Sequence, residues 1–230
     1  FIDDYLIEKS NGISFGINPP IKTYERCIIA EKPWEEVMVG PYCTVMDDNG
    51  NYRMWYESYA KAPGKKPVGF LCYAQSKDGT NWEKPNIGKI PFNDSLDNNI
   101  VFPPKGKLYH GGTVFKDPSA DDAHRYKLIY AIGADGLFGA YSPDGINWST
   151  YNAHLLKHQC DTQNICFWDS RIKKYVAYVR HNVPIRNPNI IRTIGKSETS
   201  DFLNWPPVET ILTFDKNDPP DMDIYNSAAV

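Results

Sequence analysis

Short runs of apolar and aromatic residues, separated by turn residues, follow one another along the chain. Helical periodicity is nearly absent, and the runs have the length and the β-branched and aromatic content that are typical of strands. These runs come in groups of four. In the first group we predict strands at Tyr42–Met46, Tyr52–Ser58 and Val68–Gln75, and a short fourth strand near Trp82.

The same order of strands repeats along the rest of the chain. The second group is predicted at Gly112–Lys116, Arg125–Ile132, Leu137–Tyr141 and Trp148–Tyr151. The third group is predicted at Asn164–Trp168, Lys174–Val179, Ile190–Gly195 and Val208–Leu212. A further strand at Asp223–Val230 is expected to begin a fourth group. The chain therefore reads as one supersecondary unit repeated in series.

One turn motif stands between the third and fourth strands of each group. It reads SKDGTNW at Ser76–Trp82, SPDGINW at Ser142–Trp148 and, in degenerate form, TSDFLNW at Thr199–Trp205. The Asp supplies a short acceptor side chain and the Gly supplies a positive φ, as a tight reversal requires. We expect the Trp on the returning strand, where its large face packs on the neighbouring hairpin. The Trp residues recur at about sixty residues, a spacing typical of blade-type repeats.

Repeated groups of four antiparallel strands favour an all-β fold of the β-propeller type, with a meandering sandwich as the alternative. The predicted parts are an N-terminal arm at 1–37, blades at 38–90, 108–152 and 160–213, and the start of another blade at 221–230. Propellers close with about 4–8 blades, and an unclosed ring leaves an exposed strand edge. We therefore expect this chain to be a fragment of a longer protein, or to be completed by a partner chain.

Composition excludes several functional classes. The formal net charge is −3 without a Lys/Arg cluster, so nucleic acid is not an expected partner. No apolar run reaches membrane-spanning length, so no membrane partner is expected. The five cysteines are odd in number and have no C-x-x-C pair, so neither a zinc ribbon nor a complete disulfide framework is indicated. The number and spacing of the cysteines do not indicate a cellular compartment.

Several segments carry a family resemblance. They are Asp161–Asn164 with Phe167–Asp169, the three Trp turns, Arg192–Gly195, Asp223–Val230 and the opening Phe1–Ile7. Together they resemble the five-bladed propeller glycoside hydrolases, the superfamily of arabinanases, levansucrases and invertases (families 43 and 32), and their uncharacterised bacterial relatives. The resemblance lies in the fold more than in catalytic motifs, because the invertase motifs Trp-Met-Asn-Asp-Pro and Glu-Cys-Pro are absent. Phe115–Pro118 is interpreted as a turn between strands.

The resemblance implies what the whole protein does. It implies a five-bladed ring, hydrolysis of glycosidic bonds in an oligosaccharide or polysaccharide, and a secreted or periplasmic location. No organic cofactor is implied, although the central His of some arabinanases holds a channel metal, which here points to a calcium ion at His110. A lone His is more often a hydrogen-bonded structural residue.

Propeller topology selects the candidate site residues. The first strand of a blade starts at one mouth of the channel and the second strand returns to it. First-strand starts give Tyr42, His110, Asp161 with Gln163, and Asp223 with Tyr225; second-strand ends give Glu57, Arg180 and His181. Glycoside cleavage uses two carboxyl groups. We predict the catalytic residues Asp161, Asp223 and Glu57, and the substrate-binding residues His110, Gln163, Arg180, His181 and Tyr225. Alternatively, Asp161 and Asp223 have only a structural role, in which each side chain hydrogen-bonds to the nearby backbone where a strand begins.

Three other functions stay open at the level of the sequence. The turns distantly resemble those of sialidases, which need an arginine triad, and only Arg180 and Arg192 are available here. A mannoside phosphorylase would need basic residues for phosphate. A non-catalytic sugar-binding or scaffold propeller would use its acidic residues only for structure.

Overall fold

The computed structural model describes residues 7–61, 66–103, 108–157, 159–186, 189–219 and 222–228, apart from Phe15, Ile17 and Asn217. Within these residues, twelve strands form three four-stranded antiparallel sheets. Among the residues just named, helix is confined to three 3₁₀ turns, at Pro33–Glu35, Asp122–His124 and Gly133–Asp135. In the described part of the chain, no helix is long and apolar enough to cross a membrane. The prediction of an all-β chain with four strands in each group is confirmed.

Each sheet is built from four strands in chain order. The first contains β1 (Met38–Asp47), β2 (Tyr52–Ala60), β3 (Val68–Ser76) and β4 (Ile100–Phe102). The second contains β5 (His110–Lys116), β6 (Tyr126–Ala131), β7 (Leu137–Ser142) and β8 (Ser149–Leu156). The third contains β9 (Ile165–Asp169), β10 (Lys174–Arg186), β11 (Asn189–Thr199) and β12 (Glu209–Leu212).

One strand prediction is wrong. The fourth strand of the first sheet is β4 and does not lie near Trp82, where one isolated bridge joins Gln75 to Glu83. Pro85 follows closely and has no N–H for a ladder, so the chain loops until the apolar run of β4. The strand expected at Asp223–Val230 lies partly outside the described residues and stays a prediction; residues 222–228 pair with no sheet there, as an unpaired start of another blade would. There, Ile224 N donates to Arg192 O of β11 at 3.1 Å.

The repeated turns have one hydrogen-bonding scheme. In the second sheet, Asp144 Oδ1 accepts from the N–H groups of Ile146 and Asn147, both at 2.8 Å, and Ser142 Oγ accepts from Gly145 N. Asp78 repeats these bonds in the first sheet, and Asp201 accepts from Leu203 N in the third. Trp148 Nε1 donates back to Gly145 O at 3.0 Å. The Trp therefore closes its own turn, one residue before β8, instead of lying on the returning strand as predicted.

Two apolar interfaces hold the sheets together. Trp55, Leu71, Phe102 and Leu128 belong to the core between the first and second sheets, where Trp55 Nε1 also donates to Gly145 O at 2.7 Å. The core between the second and third sheets includes Phe115, Ile129, Leu155, Tyr175 and Phe202. The Trp residues of the three turns pack against these cores and the core of the first sheet. Asp117 lies in the turn after β5, as the sequence predicted.

The first strands of the three sheets lie side by side. Val114 N in β5 donates to Thr44 Oγ1 in β1 at 3.1 Å. On its other side, Thr113 Oγ1 donates to the carbonyl of Asn164, just before β9, at 2.6 Å. Side chains at the ends of these strands are therefore brought together although they are far apart in sequence.

Candidate active site

Four charged side chains form one hydrogen-bonded row where the first strands meet. Glu57 Oε1 lies 3.0 Å from His110 Nδ1, and His110 Nε2 lies 3.0 Å from Asp161 Oδ1. Arg180 Nη1 donates to Asp161 Oδ2 at 2.8 Å. The row of Glu57, His110, Asp161 and Arg180 contains two acids and two bases. The sequence predicted all four for the site, and the structure brings them together.

Strand β2 positions Glu57 at the inner end of this row. Its side chain is 0 % exposed, and Oε1 accepts from Tyr59 Oη at 2.7 Å and from Gly111 N at 3.2 Å as well as facing His110. Tyr59 is two residues further along β2 and therefore on the same face. Glu57 Oε2 is also buried and has no hydrogen-bond partner among the described residues. One oxygen is thus saturated by donors, while the other has none.

A close backbone approach places Asp161 beside His110. Gly111 has φ +55°, and a Cβ there would lie 1.9 Å from Thr162 O. Only Gly lets these two segments come so near, and Asn164 N then donates to Gly111 O at 3.0 Å. Residue 111 follows His110, and residue 162 follows Asp161. The contact therefore fixes the two side chains next to each other.

Asp161 is an accessible carboxylate with fixed cationic partners. Its side chain is 47 % exposed, whereas that of Arg180 in β10 is 3 % exposed. Burial alone would raise the pKa of Asp161, but the charge of Arg180 and the hydrogen bond from His110 outweigh it and lower the pKa below its ordinary value. The group is therefore ionised near neutral pH and open to a ligand.

The surroundings of His110 favour its protonated form. The hydrogen bond to Glu57 is the largest influence and raises the pKa of the imidazole; burial opposes it, and the charges of Glu57 and Asp161 add to the rise. Each ring nitrogen faces a carboxylate oxygen at 3.0 Å, which suits an imidazolium with two N–H donors.

A tyrosine connects this row to a second acid. The Tyr225 ring lies 4.6 Å from the guanidinium carbon of Arg180 and 5.2 Å from that of Arg192. Asp223 accepts from Arg192 N at 2.9 Å and lies 3.5 Å from Arg192 Nη1. Asp223 thus pairs with Arg192, and among the described residues it is joined to Asp161 only through Arg192, Tyr225 and Arg180.

Two predicted substrate-binding residues lie elsewhere. Gln163 Nε2 donates to Cys43 O at 2.8 Å, which ties β1 to the loop before β9. His181 follows Arg180 on β10 and therefore points to the opposite face, where Nδ1 lies 2.8 Å from Thr210 Oγ1. Burial lowers the pKa of His181. The structure does not bring His181 to the charged row, because the alternation of β10 delivers only one of two neighbours to each face.

Sequence reasoning missed three residues that build the site. Tyr59 and Gly111 hold Glu57, and Arg192 holds Asp223. Tyr59 carries a usable signal, because it alternates with Glu57 on one strand. Tyr42, which the sequence placed at the mouth without a role, packs edge-on against the His110 ring at 5.5 Å. Burial and then a hydrogen bond with Tyr225 raise the pKa of Tyr42.

The residues described do not suit a calcium ion held by His110. Both of its ring nitrogens already face carboxylate oxygens at 3.0 Å, and calcium prefers oxygen ligands to an imidazole nitrogen. In the described part of the chain, no group of three or more His, Cys, Asp or Glu side chains is arranged to hold a metal ion.

The chain is similar to known proteins but is not assigned to a family. No family model matches the chain. An uncharacterized protein of Mycobacterium tuberculosis, Rv1502, is 26% identical over 144 residues, which are 60% of this chain and 45% of that protein. The chain thus spans less than half of the length of this curated relative.

Two solved structures illustrate the structural matches. An alpha-L-arabinanase of Cellvibrio cellulosa has a TM-score of 0.49 at 12% identity, over 80% of this chain and 61% of that one. An N-acetylgalactosamine deacetylase from F. plautii, in complex with blood group B trisaccharide, has a TM-score of 0.49 at 16% identity, over 71% and 50%. The resemblance to arabinanase-type enzymes that the sequence suggested is found again here. At these TM-scores the matches support no argument about the site, which rests on its own geometry.

Proposed function

We propose that the chain is part of a propeller glycoside hydrolase that cleaves glycosidic bonds at the charged row. The proposal rests on Asp161, a half-exposed carboxylate that is held ionised between the buried guanidinium of Arg180 and the imidazole of His110. A glycosidase needs such a carboxylate beside the anomeric carbon, either to attack it or to activate water. We assign this role to Asp161.

The second carboxyl group of the pair is Asp223 in this proposal. Its side chain is exposed and reaches the row through Arg192, Tyr225 and Arg180. Its role is to protonate the leaving oxygen. We give Glu57 a positioning role, because its Oε1 accepts from three donors and its side chain is buried. Glu57 then keeps His110 charged and oriented toward Asp161.

The arrangement of the sheets supports a ring. The first strands β1, β5 and β9 are neighbours, and each sheet runs from its first strand to its fourth in chain order. A propeller has this order, with first strands around a channel and fourth strands outside. For the whole protein we propose five such sheets, with an oligosaccharide or polysaccharide bound over the first-strand ends.

A phosphorylase is the second candidate, and one observation favours it. Arg180 and Arg192 both flank Tyr225 beside the two acids, so two guanidinium groups lie near the reacting centre. Guanidinium groups bind phosphate well. Water would be the acceptor in a hydrolase, whereas phosphate would be the acceptor in a phosphorylase.

A substrate screen of the natural full-length protein tests both candidates. Aryl glycosides and polysaccharides are incubated with and without inorganic phosphate, and the products are separated. We expect free sugar at the same rate in both conditions. Sugar phosphate formed only with phosphate would replace the hydrolase by a phosphorylase. Glycan binding without any product would show a non-catalytic propeller.

A further inference from the structure

The two ring nitrogens of His110 have different kinds of partner. His110 Nδ1 lies 2.5 Å from the hydroxyl oxygen of Tyr59 as well as 3.0 Å from Glu57 Oε1. The same hydroxyl lies 2.7 Å from Glu57 Oε1, so the three atoms form a triangle. Among the described residues, Nε2 is hydrogen-bonded only to Asp161 Oδ1. A hydroxyl group is therefore present at Nδ1 and not at Nε2.

Strand pairing fixes the Tyr59 ring in this position. Tyr59 and Glu57 are two residues apart on β2, so their side chains share one face of the sheet. Gly69 of β3 lies opposite Tyr59, and a Cβ there would come within 3.2 Å of the tyrosine ring and 2.5 Å of Tyr109 O. Glycine at this position leaves room for the ring. The hydroxyl is therefore placed at Nδ1 by the packing of β2 against β3.

The hydroxyl of Tyr59 is able to act as a donor to either of its neighbours. Burial and then the interaction with Glu57 raise the pKa of Tyr59, so the hydroxyl keeps its proton. A hydroxyl both donates and accepts, whereas a carboxylate oxygen only accepts. When Nδ1 carries a proton, Tyr59 donates to Glu57 and its oxygen accepts from Nδ1. When Nδ1 is bare, the O–H group turns from Glu57 to Nδ1.

A neutral imidazole leaves one of its two nitrogens without a proton, and which one depends on the partners of each. A bare Nε2 would face the ionised carboxylate of Asp161, and neither atom would have a proton to donate. A bare Nδ1 accepts from Tyr59 instead. His110 should therefore release its proton from Nδ1 to water and keep the hydrogen bond from Nε2 to Asp161.

Other titratable groups surround the ring without a hydrogen bond to its nitrogens in the described structure. Tyr42 of β1 packs edge-on at 5.5 Å, and its hydroxyl is hydrogen-bonded to Tyr225. Arg180 of β10 reaches Asp161 and not the ring. Lys66 lines the same cavity as His110 from an exposed position before β3. The choice between the two nitrogens is therefore made by Glu57, Tyr59 and Asp161.

We propose that Tyr59 is a positioning residue, which keeps the Nε2 proton of His110 directed at Asp161 in both protonation states of the imidazole. Its hydroxyl does so by donating to Nδ1 when that nitrogen has lost its proton. The inference rests on the proposed function for the reactive role of Asp161, whereas the direction of the hydrogen bonds does not depend on it. His110 then supports Asp161 over a wider pH range than a ring placed between two acceptors.

NMR spectroscopy of the natural full-length protein, labelled with ¹⁵N-histidine, tests this proposal without any turnover, because the ¹⁵N shift distinguishes a protonated from a bare ring nitrogen. Spectra are recorded between about pH 6 and about pH 10 for the wild type, Tyr59→Phe and Tyr56→Phe. His110→Asn assigns the signals. Tyr56 is a matched control, because it also lies on β2 and donates its hydroxyl to a buried glutamate, Glu35, at 2.6 Å.

We expect the wild type and Tyr56→Phe to lose the Nδ1 proton and to keep the Nε2 proton as the pH rises. In Tyr59→Phe the neutral ring loses the donor at Nδ1, so deprotonation should require an about tenfold lower proton concentration. Its bare nitrogen should then be Nε2, because water reaches the half-exposed Asp161 but not the buried Glu57.

The wild type alone is sufficient to overturn the proposal. A ring that keeps the Nδ1 proton when it is neutral, or that keeps both protons up to about pH 10, would contradict the role of Tyr59. The same titration and the same bare nitrogen in Tyr59→Phe as in the wild type would contradict it as well. If the nitrogens behave as expected but no glycoside is turned over, the hydrolase proposal fails and the role of Tyr59 stands.

Discussion

Asp144 and Asp161 are two aspartates in loops, and their surroundings differ completely. Asp144 accepts from Ile146 N, Asn147 N and Ser142 Oγ, all within three residues. Asp161 pairs with His110, 51 residues away, and with Arg180, 19 residues away. The first carboxylate serves the turn that contains it. The second exists as a site only after three sheets have assembled.

The comparison also shows that a lowered pKa does not by itself mark an active site. Burial would raise the pKa of Asp144, but the backbone N–H groups of Asn147 and Ile146 lower it. The pKa of Asp161 is lowered as well, by Arg180 and His110 against the effect of burial. What separates the two is the chemistry of the partners. Backbone amides fix a turn, whereas a guanidinium and an imidazolium prepare a carboxylate for a ligand.

The largest effect should come from the glycine that assembles the site. Gly111→Ala places a Cβ 1.9 Å from Thr162 O at a positive φ, so the segment with Asp161 must move away from His110. Gly133→Ala is the matched control, because Gly133 has φ +53° and nothing within 4 Å of a Cβ. We expect Gly111→Ala to lose about 2–3 kcal/mol more unfolding free energy than the control. Urea unfolding of both variants measures the difference.

Equal losses in these two alanine variants would contradict the close approach of the two segments. Turnover sharpens the test. Gly133→Ala should retain wild-type activity per folded molecule, while Gly111→Ala loses it.

A smaller effect is expected at the turn aspartate. Asp144→Ala removes the acceptor of two backbone N–H groups, and we expect it to lower the unfolding free energy by about 1 kcal/mol. Thermal unfolding and urea titration measure this loss. The site lies elsewhere, so turnover per folded molecule should stay at the wild-type value. A fall in activity without a fall in stability would show that the turn carboxylate is functional.

The smallest expected effect is a change in the free energy of unfolding with pH, which has opposite signs for two histidines. The pKa of His110 is raised in the folded state, so its stabilisation is complete below about pH 6.5 and is lost as the pH rises through the folded pKa. The pKa of His181 is lowered by burial, so its contribution favours folding above about pH 6.5 and is lost as the pH falls.

Urea unfolding between pH 5 and pH 9 separates these contributions. His110→Asn should remove part of the decline in stability at high pH, whereas His181→Asn should remove part of the decline at low pH. Identical pH profiles for both variants would contradict the different surroundings of the two imidazoles.

The sequence was sufficient to predict the repeated turns and strands. The three Trp turns and the alternating runs are local patterns, and they predicted three sheets of four strands because local hydrogen bonds and periodicity determine these elements. The position of β4 was not predictable from the turn alone, since Pro85 displaces the strand. The predicted propeller topology also named the strand ends expected to meet at one mouth, and four of the residues selected in this way form the charged row.

The remaining details of the site depend on atomic contacts that no local pattern records. Gly111 is essential because of a carbonyl from another segment, and Glu57 has one saturated and one unpartnered oxygen because of where Tyr59 and His110 lie. His181 was misplaced because adjacent positions of a strand were both assigned to one face. Because side chains alternate along a strand, Arg180 and His181 point to opposite faces of the sheet.

The most direct test of the account compares Asp161→Asn with Asp144→Asn in the natural full-length protein. Both changes remove one carboxylate and keep the shape of the side chain. Turnover of the best glycoside from the screen is measured at a temperature where both variants are folded. We expect Asp161→Asn to lower kcat by about 10²–10⁴-fold, the usual contribution of such a group, and Asp144→Asn to retain the wild-type kcat. Wild-type turnover by a folded Asp161→Asn variant would contradict the assignment of Asp161 as the reactive carboxylate.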